Sequence, residues 1–324
     1  MSAENEYYSS IVSKFKKLEN KLDVSLILES RMFQYFTKKQ AEFNASIDRL
    51  KSTHYKQIKI FLKENMGLMI APEIKPTYKF IDECDENIII LKELLELFEA
   101  VDFERLENLR KLKPILESHP FKERGARNKC QELIQSCEDE IYNLERYIND
   151  FKVKILNRYS IESFNSAFGY YAPNPILTRD RIRVNTFICW IWSADQDFEA
   201  FITNVLCHET AHAFHHQGQD FNNKRCQNFR QILEEKYFVE GIAQHYTNQF
   251  AQFYKKKLPD IKKTFDHMNE KLMRKNSPYR WHETWEYNKQ VIKDAFIKSR
   301  QKKYMDKEIF NKILKQEEEN YHNQ

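Results

Sequence analysis

Ile11, Phe15, Leu18, Leu22, Leu26 and Ile27 follow one another in a near-heptad rhythm, the spacing that lays an apolar stripe along a helix. The rhythm resumes from Met32 to Leu62, and Pro72 and Pro76 break it, because proline lacks the amide that a helix interior needs. A third helix is predicted from Asp82 to about Lys111. It carries Ile89, Ile90, Leu94, Leu95 and Leu97, with Pro114 and Pro120 bounding its end. Glu123 to Leu156 supplies a fourth, and helices of this length are expected to pack antiparallel beside the rest of the chain.

Between Tyr159 and Trp192 the pattern changes. Gly169, Pro173 and Pro175 punctuate it, and Ile182, Val184, Ile188, Trp190 and Trp192 fall on even positions, the period of a half-buried strand. An edge strand here could hold a peptide by backbone pairing or simply cover the core as a hairpin. Helical spacing then returns with Phe198, Phe201, Ile202, Val205 and Leu206, and Asp195 or Asp197 stands where a cap is needed. The run Phe201, Val205, His208, His212 continues along one stripe, which turns both histidines toward the interior. Another helix is expected around Glu234 to Tyr246, and the chain is helical again beyond residue 255.

Composition narrows the picture. Five glycines and eight prolines accompany 31% charged residues among 324, which suits long helices and leaves little room for sheet. The expected fold is mainly α with a small β-sheet or ribbon, divided into an N-terminal helical region (1–157), a zincin-like catalytic core (158–258) and a C-terminal basic helical region (259–324). No apolar run reaches the roughly 18 residues of a membrane span, and the first residues lack the order of a signal peptide. Cys84, Cys130, Cys137, Cys189, Cys207 and Cys226 are scattered without a CxxC pair, as expected for reduced thiols in a cytoplasmic protein. Lysines and arginines crowd the chain after residue 255, but the net charge is only +4 and no nucleic-acid-binding signature appears. A solvated helix face is the expected reading, and nucleic acid is not an expected partner.

The chemistry lies in His208-Glu209-Thr210-Ala211-His212. Positions i and i+4 share a helix face, so both imidazoles can reach one metal ion while Glu209 stands beside them as a general base. A catalytic zinc takes three protein ligands and keeps a fourth position for water. The third is expected downstream, where Glu234, Glu235 and Glu240 offer carboxylates. Glu240 is preferred because Gly241 and Ala243 would allow close packing against the first helix. A histidine third ligand of the HExxHxxGxxH type is disfavoured, since His215 and Gly218 stand in reversed places. His215 and His216 are expected in structural or surface roles, and Cys207 in packing. His282-Glu283-Thr284 repeats the opening of the motif, but Glu286 stands where a second histidine would fall, so an aromatic core helix with a buried histidine is expected there.

The stretch Val205 to His215, with Phe238-Val239-Glu240-Gly241-Ile242-Ala243, resembles the gluzincins, zinc metallopeptidases with an HExxH helix and a glutamate ligand on a following helix. Phe168-Gly169-Tyr170-Tyr171 and Ile182-Arg183-Val184-Asn185 are similar to the strand region that lies above the zinc and pairs with extended substrate in those enzymes. The resemblance covers about residues 165 to 255. It implies one zinc ion per chain on His208, His212 and Glu240, with Glu209 passing a proton from zinc-bound water to the leaving amine of a peptide or protein substrate. His245, Tyr246, Tyr279, Arg280 and His282 are the candidates for stabilising the oxyanion. The competing class is a helical interaction protein whose metal site is structural or vestigial.

Overall fold

A computed structural model describes residues 12–16, 18–19, 21–69, 76–81, 85–118, 124–158, 168–172, 181–226, 235–272, 277–302 and 304–323. It is mainly helical with one small three-stranded sheet. None of the described helices is long and apolar enough to cross a membrane.

The first predicted stripe is not one helix. A turn at Leu18 and Glu19 interrupts it, and Asp23 starts a new helix, α1 (Val24–Glu29), by accepting from the Ser25 amide at 3.0 Å. Leu26 therefore faces solvent while Phe15, Leu18 and Ile27 are buried. Ser30 caps α2 (Arg31–Arg49) through the Phe33 amide. A π-helical turn, Leu50–His54, joins α2 to α3 (Tyr55–Met66), so the predicted Met32 to Leu62 run is continuous. Gly67, at φ 65°, closes α3 in the left-handed conformation that glycine adopts without strain.

The predicted Asp82 to Lys111 helix is two: α4 (Asp85–Ala100) and α5 (Phe103–Ser118). Asp102 divides them by accepting from the Arg105 amide at 2.8 Å, which caps a fresh helix. Pro114 lies inside α5 rather than ending it. Ion pairs Arg110–Glu145 (2.6 Å) and Lys113–Glu138 (2.7 Å) fasten α5 to α6 (Arg124–Arg158) close to that proline.

The sheet has the order β1–β3–β2, from β1 (Thr77–Lys79), β2 (Gly169–Ala172) and β3 (Arg181–Asn185). β1 runs parallel to β3, with Tyr78 opposite Val184. β2 runs antiparallel to it, with Gly169 opposite Val184 and Tyr171 opposite Ile182. The strand predicted as far as Trp192 stops at Asn185; Ile188, Trp190 and Trp192 belong to α7 (Thr186–Trp192). Every residue of α7 is buried, odd positions as well as even, so the even-position hydrophobics were half of a fully apolar run, which periodicity cannot assign to strand or helix.

At the centre is α8 (Phe198–Gln217), which packs against α3, α7, β2, β3, α9 (Lys236–Tyr254) and α10 (Ile261–His267). It is buried on nearly all sides rather than along the single predicted stripe. Asp197 caps its start, accepting from the Ala200 amide at 2.6 Å. Asp195 instead forms a buried ion pair with Lys152 of α6, whose ammonium also donates to the Trp192 carbonyl at 2.7 Å. At the other end the fully buried Arg300, which comes directly after α11 (Lys289–Ser299), donates to the carbonyls of His215 (3.1 Å) and Gly218. A cation there complements the negative end of the helix dipole. Behind α11, α12 (Lys307–His322) closes the fold.

Candidate metal centre

α8 brings His208 and His212 to the same side, one turn apart, and α9 lays Glu240 across them. His208 Nε2 lies 3.0 Å from Glu240 Oε2 and 3.0 Å from His212 Nε2, and His212 Nε2 lies 3.3 Å from the same carboxylate oxygen. Among the described residues this is the only group of three such side chains close enough to share an ion. Ligand atoms at zinc-bond lengths on a tetrahedron stand about 3.3–3.6 Å apart, so the triangle is within a few tenths of an ångström of the size that a zinc ion requires.

The protons point the same way. Gln244, one turn after Glu240 on α9, places its Oε1 3.0 Å from His208 Nδ1. An amide oxygen only accepts, so Nδ1 carries the proton and a neutral His208 turns a bare Nε2 lone pair toward the Glu240 carboxylate. That contact is attractive only with a proton or a cation between the two atoms. With a proton so placed, the His212 and His208 imidazoles hold the Glu240 carboxyl far below the usual carboxylate range, against the rise that burial would cause. This is the ionised form that a metal ligand needs.

Glu209 lies beside this triangle without joining it. Burial pushes its carboxyl up to about 7, the Glu240 charge adds to the rise, and His208 and the donating Tyr171 amide oppose it. β2 runs directly over this residue: a Cβ on Gly169 would sit 2.9 Å from the Arg183 carbonyl, 3.1 Å from Val205 Cγ1 and 3.3 Å from Glu209 Cγ. The Tyr171 hydroxyl also meets His216 Nδ1, which fastens the strand to α8 at a second point.

Gly241 allows a close approach, though not the one predicted. A Cβ there would meet Trp281 Cε3 at 2.8 Å, so the glycine admits the 3-10 helix Pro278–Thr284 rather than α8. That 3-10 turn replaces the core helix expected around His282, which is buried as expected and donates from Nδ1 to the Tyr279 carbonyl at 2.7 Å.

Of the five oxyanion candidates, Tyr279 alone lines the cavity beside His208 and Glu209, its ring 5.6 Å from that of His208. Arg280 is engaged by Glu283 at 2.8 Å. His245, pushed down to about 3 by burial, contacts Gln249 at 2.6 Å. Tyr246 is buried against Phe296.

Glu235 stands at the start of α9, outside the triangle, and Glu234 lies outside the described residues. His215 is wedged between Phe238 and Phe296, a core position rather than a surface one. Cys207 is fully buried, as its packing role requires, and burial raises its thiol pKa. Sequence reasoning missed Gln244, although its place four residues after Glu240 was the signal that it shares the ligand face. Arg300 was hidden within a basic segment that reads as surface but delivers one fully buried guanidinium.

No family model matches this chain, and neither a curated protein nor a solved structure matches it.

Proposed function

We propose that this chain is a zinc-dependent peptidase with a zincin-like core, holding one ion on His208, His212 and Glu240. The observation that carries the reading is the convergence of two imidazole nitrogens and one ionised carboxylate within 3.3 Å of one another. Two histidines and a carboxylate are a hydrolytic zinc set, which leaves a position open. When bound, zinc supplies Lewis acidity for a peptide carbonyl and makes water a nucleophile near neutral pH.

The protein's own residues supply the rest. Gln244 fixes the His208 tautomer, so that Nε2 is free to ligate. Glu209, held under β2 by the Tyr171 amide, accepts a proton from the attacking water and returns it to the departing amine. Tyr279, in the cavity wall, would donate to the carbonyl oxygen as charge develops on it. β2 is one of the two edge strands of the sheet, and an extended substrate laid along it would be held by its backbone beside Glu209.

The deciding experiment is elemental analysis of purified wild type, His212→Ala and Glu240→Ala. One zinc per chain in wild type, lost in both variants, is the expected result. A wild type that stays metal-free when supplied with zinc would defeat the reading and favour a helical interaction protein.

A further inference from the structure

Beside His208 and Glu209 lies a cavity of about 50 Å³, walled on its apolar side by Phe168, Val205, Phe265 and Met268. Two of its polar side chains are engaged: Thr247 donates to the Ala243 carbonyl at 2.8 Å, and the Gln244 oxygen accepts from His208. Asn204 differs. It lies one turn before His208 on α8, is 1% exposed, and donates from Nδ2 to the Ile261 carbonyl at 3.0 Å, yet its Oδ1 accepts no hydrogen bond among the described residues. The bond to Ile261 fixes the amide, since a flip would set two carbonyl oxygens against each other. A buried acceptor without a partner is costly, and an occupant bringing a donor into the cavity would remove that cost.

We infer that this cavity receives a substrate side chain of about threonine size ending in an uncharged hydrogen-bond donor, with Asn204 Oδ1 as its acceptor; the inference rests on the peptidase reading. Size is set by the volume. A water needs about 10–15 Å³ by this measure, so the space admits roughly three to five heavy atoms. Chemistry is set by the walls: an ammonium or guanidinium would lose its hydration against four apolar side chains, and a carboxylate offers no donor to a carbonyl oxygen. Threonine and valine have the same shape and differ by the group that Asn204 would read.

The test compares the zinc-loaded protein on two heptapeptides, alanine throughout except for a central Thr or Val, with cleavage on either side of that residue read by mass spectrometry. The expected wild-type kcat/KM ratio, Thr over Val, is about tenfold or more, the worth of one buried hydrogen bond. It should fall to one or below in Asn204→Leu, which removes the acceptor. A wild-type ratio of one or below overturns the inference, whether or not Asn204→Leu folds, as does a ratio unchanged in Asn204→Leu. Cleavage of a mixed peptide pool but of neither heptapeptide overturns this inference and leaves the peptidase reading standing. No cleavage of the pool overturns both.

Discussion

At the scale of single residues, Glu209 and Gln244 sit beside the same imidazole and have separable roles. Glu209→Gln keeps the shape of the buried side chain but loses the proton acceptor, so the variant should retain zinc while peptide hydrolysis falls by about 10²–10⁴-fold, as assayed on matched metal-loaded samples. Gln244→Leu removes the acceptor for His208 Nδ1 and frees the ring to turn its proton on the ion. Zinc affinity should weaken by about 10–100-fold, measured by competition with a chromophoric chelator. Equal affinity in wild type and Gln244→Leu would show that the tautomer is set elsewhere.

At the scale of elements, α8 depends on what grips its ends. Arg300→Met would leave the His215 and Gly218 carbonyls buried without their donor, at a cost of about 2–4 kcal/mol read from denaturant unfolding. Lys152→Met would strand the Asp195 carboxylate, which is 3% exposed, and should cost about 3–5 kcal/mol. The combined change with Asp195→Leu should recover part of that loss.

The two helices that carry His208, His212 and Glu240 were legible in the sequence because apolar spacing, the Asp197 cap and the HExxH motif agree locally. The small sheet was legible only in part. Burial erased the alternation along α7, where Phe187, Cys189 and Ile191 are as deeply buried as their neighbours. Nor does spacing say what a glycine faces: Gly241 was correctly read as a point of close approach, but its partner, Trp281, lies 40 residues further along the chain. Gln244 and Asn204 were missed because amides carry no motif, and only their positions one turn from Glu240 and His208 mark them.

At the scale of the molecule, Glu199 ties three parts of the fold together. Its carboxylate, in the first turn of α8, meets Arg49 of α2 and, at 2.6 Å, His54 of the π-helical turn, whose other nitrogen lies 3.0 Å from the Tyr254 hydroxyl of α9. Burial would raise its pKa, but the His54 and Arg49 hydrogen bonds lower it from 4.5 to about 2. A carboxylate with a depressed native pKa contributes stability that is complete above its unfolded value and is lost as pH falls toward the folded one. Thermal midpoints of wild type should therefore fall between about pH 4.5 and pH 2 more steeply than those of Glu199→Gln. Parallel curves would remove Glu199 from the acid response.

The fully buried Arg300 also bears on how freely the HExxH sequence could travel between proteins. Its guanidinium reaches back across more than 80 positions of chain to hold the last turn of the helix that carries both histidines. A graft of the five-residue motif, or of the whole stretch from Val205 to Ala243, would move His208 and His212, the longer one Glu240 as well, and leave their anchor behind. Here the HExxH sequence is not a portable cassette, and a recipient scaffold would have to provide its own buried cation at that helix end.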